Sequence, residues 1–480
     1  MKGRLLFILT IFGMIGFVLV VTVTDKADFK KRYHQHEEWN SEVQIELEIS
    51  DIKTHLPVIQ IDTAGQQIPG ERIIGTDAYQ LTEDGESEIE TTFKLYQDES
   101  APLTLVSTIH YRGNSSRLFR KKSYSLGFID QNKNEKAVSL LGMEADNNWA
   151  LHGPYLDRSL IRNYLAMNVA GEIMPYAPDV RFVEVFIDEN YEGLYLLMEK
   201  VTKGDGRVSL TTPENNSRQT SYIVVVDRLN KMNFSLNEFL RYTDKSYPSG
   251  TELIYPTGRK YTEERQQYVE RDFSYIAHSI YQIPYGQEDD HYQDLLDVQA
   301  FYDYFILNEL FRNVDAGRYS TYFYRDMRGK LTPVVWDFNN SLNNYQSTTF
   351  DETGFSMTQS IFYEQLLKDD DFVDGLIQRY YELRKTKLKT QRLHQYIDET
   401  VNFLGDSITR NNERWSDMYD LTQYDTDNYL QPIERNVTSY HEAIQQLKQY
   451  LEKRAEWLDD YIETLHQYDH PSRHSHESIK

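Results

Sequence analysis

Asn313-Val314-Asp315-Ala316-Gly317-Arg318 is the segment on which the interpretation of this chain rests, together with Trp336-Asp337-Phe338-Asn339 further along. Apolar residues at helical spacing over residues 297–312 predict a helix before the first segment. The pattern over residues 320–336 predicts a hairpin with a Met-Arg-Gly turn between the two segments. We therefore expect the first aspartate on a loop after a helix and the second at the end of a returning strand, so that both carboxylates face one cleft.

Two carboxylates delivered in this way suit phosphoryl transfer, in which carboxylates hold magnesium and one carboxylate orients the acceptor hydroxyl. Protein kinases place a catalytic-loop Asp and a metal-binding Asp around a similar hairpin. Asp337 follows an apolar strand, where a carboxylate is costly to bury unless it is paired or binds a metal. For Asp315 or Asp337 alone, a loop cap or a turn residue is the commoner role. Their combination favours a shared site.

A basic segment precedes these motifs. It reads Tyr111-Arg112-Gly113-Asn114-Ser115-Ser116-Arg117 and then Arg120-Lys121-Lys122-Ser123-Tyr124. Small residues with free backbone N–H groups can approach phosphate oxygens closely, and Arg112 with a lysine adds positive charge. In an alternating strand Lys121 and Lys122 point to opposite faces, and the apolar pattern favours Lys122 in the cleft. An exposed basic hairpin remains an equal alternative, since the sequence has neither a G-x-G-x-x-G loop nor a Walker A motif.

Two further segments are candidates for the nucleotide site. Leu196-Leu197-Met198-Glu199-Lys200-Val201 is an apolar strand that runs into a polar link, where a kinase would seat adenine. An ordinary strand end is the simpler explanation. Arg158 and Arg162 lie four residues apart on a helix predicted to begin near Asp157. They can reach phosphate or form a solvated salt-bridge face, which is the safer default.

Composition limits the function classes. The chain has 480 residues, no cysteine and a formal net charge of −24. The absence of cysteine excludes disulfides, thiolate zinc sites and cysteine nucleophiles. The acidic balance argues against nucleic acid as a partner, since the phosphate backbone attracts basic surfaces.

The N-terminus predicts a membrane association. Lys2 and Arg4 precede an uncharged apolar run over residues 5–23, which just spans a hydrocarbon core of about 30 Å. The positive end stays cytoplasmic by the positive-inside rule, so the remaining chain is expected outside. A cleaved signal peptide is the alternative, with secretion as its consequence, but no clear cleavage site follows.

The segments together resemble the CotH kinase family, and their order matches too. Besides the segments already quoted, the resemblance is carried by Asp157-Arg158-Ser159-Leu160-Ile161-Arg162-Asn163, by Gly193-Leu194-Tyr195 before the predicted adenine strand, and by Asn308-Glu309-Leu310. It covers roughly residues 50 to 345 of the chain.

The resemblance implies ATP and Mg²⁺ as cofactors and transfer to Ser or Thr of protein substrates of the surface, envelope or spore-coat type. It implies that Asp315 is the catalytic carboxylate and Asp337 a metal ligand. Arg112 with Lys121 or Lys122 would serve the phosphates, and Met198 with Glu199 the adenine region. Ser115 and Arg162 are further candidates for nucleotide binding.

Two positions depart from the family pattern. Asn339 stands where the family often has a second Asp, and an amide oxygen ligates magnesium without charge. Ser320 stands five residues after Asp315, where ordinary kinases have a metal-binding Asn. Asn339 and Ser320 are therefore predicted as weaker metal ligands of a second ion. A pseudokinase-like surface or envelope assembly protein is the main alternative function, and a carboxylate-based glycoside hydrolase is a weaker one.

The predicted fold class is α+β: an atypical protein-kinase-like, two-lobed fold after an N-terminal transmembrane helix. We expect an anchor or signal peptide over residues 1–24, a stalk over 25–50 and a β-rich N-lobe over 51–200. A mainly helical C-lobe over 201–465 then carries the catalytic loop and the metal-binding motif. A polar tail over 466–480 is expected to be disordered. The main domain is expected to be extracytoplasmic, on a single-pass membrane protein.

Overall fold

Short strands with alternating burial form a closed barrel in the computed structural model of this chain. The structure describes residues 31–47, 50–73, 75–76, 78–98, 100–228, 235–243, 248–283 and 292–469. The chain order of the barrel strands is β3 (Val58–Asp62), β4 (Ile89–Tyr96), β5 (Leu103–Tyr111), β6 (Tyr124–Phe128), β7 (Asn148–His152), β8 (Val180–Ile187) and β9 (Asn190–Glu199).

The barrel is closed by one parallel pair in an otherwise antiparallel sheet. Its spatial order is β3-β4-β5-β6-β7-β9-β8, and β8 returns to pair with β3, with Ile59 opposite Val185. Phe93, Leu126 and Trp149 are completely buried in its interior. Burying such a side chain stabilises the fold by about 1.5–3 kcal/mol, so the interior is a packed core. The chain before residue 200 is thus β-rich, in agreement with the predicted α+β class, and its strands form a barrel.

A second sheet lies in the part of the chain that was expected to be mainly helical. It has the order β11-β10-β12-β13, with β10 (Tyr222–Arg228), β11 (Ser249–Tyr255), β12 (Thr321–Arg325) and β13 (Thr332–Val334). The hairpin of β12 and β13 agrees with the prediction over residues 320–336. The strands β10 and β11 were not predicted. They pair with each other, and β10 also pairs with β12, which is distant in sequence.

The helices pack against both sheets: Arg162–Gly171 and Asp406–Arg414 contact barrel strands, and Val298–Leu310 contacts β13 of the second sheet. Beyond the short α1 (Gln35–Glu38), the helices are α2 (Arg162–Gly171), α3 (Glu263–Tyr281), α4 (Tyr292–Leu295), α5 (Val298–Leu310), α6 (Tyr363–Leu366), α7 (Asp370–Arg384), α8 (Thr390–Leu404), α9 (Asp406–Arg414) and α10 (Tyr440–Tyr461). The predicted helix over residues 297–312 is confirmed as α5. Its N-cap is Asp297, whose carboxylate accepts a hydrogen bond from the Ala300 amide at 3.2 Å.

The helix expected from Asp157 begins five residues later, at Arg162. Leu160 has a φ of +66°, which is incompatible with a continuous helix from Asp157. The Asp157 carboxylate instead accepts hydrogen bonds from the backbone amides of Ser159 and Arg162. It therefore caps the helix from a preceding turn.

The stalk assigned to residues 25–50 is structured in part of its described length. Residues 34–480 group as one compact unit and residues 1–33 as another. Gln35 in α1 is fully buried, and its side chain exchanges hydrogen bonds with the backbone N–H and C=O of Phe182 at 2.6 and 3.1 Å. A short hairpin of β1 (Ile45–Leu47) and β2 (Ser50–Thr54) follows. Residues 34–47 therefore belong to the folded body.

The predicted membrane segment over residues 5–23 lies outside the described residues, as does most of the tail over 466–480. Within the described ranges, no helix has both the length and the hydrophobicity needed to cross a bilayer.

Candidate functional site

A cavity of about 350 Å³ brings together the barrel, the second sheet and the loops that follow α5 and β13. Its volume is within the range of small-molecule sites. Of the residues predicted from the sequence, it is lined by Arg112, Ser115, Met198, Asp315, Ser320, Asp337 and Asn339.

Asp315 and Asp337 both line this cavity, as the helix and hairpin pattern indicated. Asp315 follows α5, and one of its carboxylate oxygens accepts a hydrogen bond from the side-chain amide of Asn340 at 2.7 Å. Asp337 follows β13 with a left-handed backbone, φ +54°, a conformation that Asp tolerates better than most residues. The chain thus leaves the second sheet after β13, and the Asp337 side chain lines the cavity.

Burial and the Asp315 carboxylate raise the pKa of Asp337, and the Arg112 guanidinium partly offsets the shift. Asp227 contributes in the same direction as Asp315. The protein therefore holds carboxylates close together without enough positive charge to balance them. An oxygen-rich, negatively charged group of this kind suits a hard divalent cation such as Mg²⁺.

Asp227 and Arg228 are site residues that the sequence analysis missed. Both line the cavity at the end of β10. A guanidinium nitrogen of Arg228 lies 3.6 Å from a carboxylate oxygen of Asp315, and another lies 3.7 Å from Asp227. The available signal was the β-branched run before Asp227, which resembles the apolar run before Asp337.

The loop over residues 112–116 forms one wall of the cavity. Gly113 has a φ of +94°, and a Cβ at this position would lie 1.9 Å from the hydroxyl oxygen of Ser116. The positive φ and the closeness of Ser116 both favour glycine at this position, which adds no side chain of its own to the cavity wall. The Arg112 guanidinium lies 5.8 Å from the centre of the Trp336 ring. The residues present therefore fit a bound phosphate group at this wall.

His152 is another cavity residue without a sequence signal. It ends β7 and is 7% exposed. Burial, with a further contribution from Arg112, lowers the pKa of His152 to about 3. The imidazole is therefore neutral at pH 7 and can accept or donate one hydrogen bond in the cavity.

The two positions that depart from the family pattern are also at the cavity. The amide oxygen of Asn339 accepts a hydrogen bond from the side chain of Asn163. Ser320 has a φ of +50° and precedes β12. Their roles as metal ligands stay predictions, and the Asn339 oxygen already has a protein partner.

Lys121 and Lys122 do not line the cavity, and they lie before β6 rather than in a strand, so the alternation argument does not apply to them. The Lys121 ammonium is buried and donates to the Leu194 carbonyl at 2.6 Å and to the Asn411 side chain at 2.7 Å. The Lys122 ammonium donates to the Arg117 carbonyl and lies 3.1 Å from Glu71. Both side chains thus have partners in the scaffold.

Arg162 and Glu199 are likewise placed away from the cavity lining. The Arg162 guanidinium binds the Asp157 carboxylate and the Ser341 carbonyl, at 3.1 Å for the carbonyl. The Glu199 carboxylate accepts a hydrogen bond from the Asp179 amide at 2.9 Å. Of the predicted adenine segment, only Met198 lines the cavity.

Comparison with known proteins gives two matches. The sequence model of a family described as "CotH kinase protein" matches residues 109–458. The "Inner spore coat protein H" of Bacillus subtilis (strain 168) is 33% identical over 93 residues, which are 19% of this chain and 23% of that protein. The match to this relative therefore spans less than a quarter of its length. The family match includes all the cavity residues named above.

Proposed function

Because this chain belongs to the CotH kinase family, we propose that it is an ATP- and Mg²⁺-dependent phosphotransferase that acts on Ser or Thr of surface, envelope or spore-coat-type proteins. The observation that carries the proposal is the meeting of Asp315 and Asp337 in one cavity beside the glycine-containing loop over residues 112–116. The similarity to a spore coat protein supports a site of action in the cell envelope. Attachment to the membrane through residues 5–23 is part of the same proposal.

Each cavity residue has a defined task in this proposal. Asp315 accepts a hydrogen bond from the substrate hydroxyl and orients it for in-line attack on the terminal phosphate of ATP. Asn340 and Arg228 hold the Asp315 side chain in place, at 2.7 and 3.6 Å. Asp337 and Asp227 would hold the metal, with Asn339 and Ser320 as further candidates. When bound, magnesium neutralises phosphate oxygens and the charge that develops on them.

The cavity wall supplies the groups that bind the nucleotide. Arg112 and the backbone N–H groups of residues 113–116, which line the cavity, would bind phosphate oxygens, since a glycine-containing loop allows close approach. Met198 contributes an apolar surface to the cavity and suits the adenine ring.

Replacement of Asp315 by Asn tests the assignment. The variant should lose transfer of radiolabelled phosphate from ATP by about 10²–10⁴-fold, the contribution of a positioned acid–base group, and should keep its affinity for ATP. The neutral amide keeps the shape of the side chain, so the fold should be unchanged. Asp84→Asn, an exposed position remote in sequence from the cavity segments, is the matched control. Full transfer by Asp315→Asn would overturn the role.

A pseudokinase-like assembly protein is the second candidate, and the engaged amide oxygen of Asn339 favours it. Thermal unfolding with and without ATP and Mg²⁺ separates the two functions. A rise in the unfolding temperature together with phosphate transfer supports the kinase, and a rise without transfer supports a pseudokinase. No rise supports an assembly role without nucleotide.

A further inference from the structure

A cluster outside the cavity joins the start of the folded body to a C-terminal helix. It consists of His36 and Glu37 in α1 and Glu399 in α8. The Nε2 atom of His36 lies 3.8 Å from a Glu37 oxygen and 3.9 Å from a Glu399 oxygen. None of these residues lines the cavity of the proposed phosphotransferase.

The His36 imidazole is fixed and its second nitrogen is left open. Its side chain has no solvent exposure, and Nδ1 lies 2.9 Å from the hydroxyl oxygen of Tyr164. Within the described residues, Nε2 has no hydrogen-bond partner although it is buried. A buried polar atom without a partner is costly, and here it is directed at two carboxylates.

The two glutamates of the cluster also lack a cationic partner among the described residues. The cationic side chains of Lys387 and Arg392 bind Glu172, at 2.5 and 2.6 Å. In the part of the chain that the structure describes, no ion pair with Lys or Arg is found for Glu37 or Glu399. Two carboxylates thus face the unpartnered Nε2 atom of His36 without a cation between them.

We propose that His36, Glu37 and Glu399 form a binding site for a divalent transition-metal ion, with Zn²⁺ as the best-fitting probe. A His nitrogen with two carboxylate oxygens is a donor set that zinc accepts, with a water in the fourth position. Bond lengths of about 2.0–2.2 Å place tetrahedral ligand atoms about 3.4 Å apart, so each carboxylate oxygen must approach Nε2 by about 0.5 Å. The ligand atoms of the three residues lie within 4.8 Å of one another, so the two oxygens must also close on each other. The side chains of Glu37 and Glu399 are 51% and 43% exposed, so both can make this adjustment.

The surrounding residues support this arrangement as a metal site. The contact between Tyr164 and Nδ1 can fix the tautomer that leaves the Nε2 lone pair open, as outer-shell partners of ligating histidines do. The other carboxylate oxygen of Glu399 accepts a hydrogen bond from Gln395 at 2.7 Å, which orients the side chain toward His36. The ion would therefore tie α1 to α8, because its ligands come from both helices.

Zinc titration of the metal-stripped full-length chain tests the proposal. Isothermal titration calorimetry should show one equivalent of Zn²⁺ in the wild type that is lost in the double variant Glu37→Gln/Glu399→Gln. Zinc bound by His470, His474 and His476 of the tail is common to both proteins and cancels in the difference. The replaced side chains are exposed and isosteric, so folding should be retained.

A second measurement identifies the ligands. Co²⁺ in the site should give the visible absorption bands of a tetrahedral ion, and His36→Gln should abolish them. Glu38→Gln, one residue further along α1 and outside the cluster, should keep both the zinc equivalent and the bands. Equal zinc stoichiometry in the wild type and the double variant would overturn the proposal, as would cobalt bands that survive His36→Gln.

Discussion

The charged groups that line the cavity differ from those that hold the scaffold together behind it. Arg454 and Glu309 are completely buried, 2.5 Å apart, and linked between α10 and α5. Arg454 also donates to the carbonyls of Glu352 and Gly354, and Glu309 accepts from the amides of Ser356 and Met357. In the cavity, by contrast, burial and then the neighbouring Asp315 carboxylate raise the pKa of Asp337, and Arg112 offsets the shift only in part.

The difference separates stability from chemistry. A buried charge with complete partners fixes the positions of the elements around it. A charge with incomplete partners raises the free energy of the folded protein, and a ligand can remove that cost on binding. Loss of a scaffold charge should therefore unfold the protein, and loss of a cavity charge should abolish its function while leaving it folded.

The largest effect on stability is expected from Glu309→Ala. The substitution leaves the buried Arg454 guanidinium without a carboxylate partner and two backbone amides without their acceptor. We expect a loss of about 3–5 kcal/mol in the free energy of unfolding, the usual cost of breaking a buried ion pair. Urea denaturation followed by far-UV circular dichroism measures it.

The double variant Glu309→Leu/Arg454→Leu is the control for this prediction. If an uncompensated charge is the cause, removal of both partners should destabilise the protein less than removal of one. A double variant that is less stable than the single one would show that packing around these side chains dominates.

Asp337→Asn should impair phosphate transfer and leave the protein folded, the reverse of what is expected for Glu309→Ala. Phosphate transfer should fall by about 10²–10³-fold, as for the loss of one electrostatic group in an active site. Stability at pH 7 should be unchanged or higher, because the folded protein disfavours the ionised carboxylate.

The raised pKa of Asp337 determines how the stability of the wild type, relative to Asp337→Asn, changes with pH. The folded state holds this proton more tightly than the unfolded state, whose pKa is about 4. The wild type should therefore lose stability relative to Asp337→Asn as the pH rises from about 4 through the raised pKa. Thermal unfolding without metal from acid to neutral pH measures the difference. A variant that is less stable than the wild type at pH 7 would contradict the comparison.

Lys200 is intermediate between the scaffold charges and the cavity charges, and its replacement should have the smallest effect on stability. It donates one hydrogen bond to Ser125, at 2.7 Å, and burial with a further contribution from Arg112 lowers its pKa to about 8. The unfolded chain binds this proton more tightly between about 8 and the ordinary value of 10.5. The wild type should therefore gain stability relative to Lys200→Met as the pH rises through that window. Lys136→Met, at an exposed position, should show no such gain.

Local patterns were sufficient for the predictions that depend on local structure. The α5 helix, the hairpin after it and the convergence of Asp315 and Asp337 follow from apolar spacing and short connections. Asp227 was missed although it ends an apolar strand as Asp337 does. Its strand, β10, acquires its place through pairing with β12, with Val224 opposite Phe323, and no local pattern encodes that pairing.

The basic residues show the opposite error. Arg112, Lys121 and Arg162 were assigned to phosphate on charge and motif, but only Arg112 lines the cavity. Lys121 and Arg162 are used by backbone carbonyls and side chains that lie far away in sequence, such as Asn411 and Ser341. Whether a cation serves a ligand or the scaffold depends on such distant acceptors, which a single sequence does not reveal.

Closure of the barrel has a consequence for the way in which other proteins can associate with this chain. Each of its seven strands has a neighbour on both sides, because β8 returns to β3. Over their paired lengths, the described barrel strands therefore offer no open edge to which another copy could add a strand, a common route to fibres and aggregates. A partner that binds these lengths must do so through side chains, so its association can be altered by point substitutions at the surface.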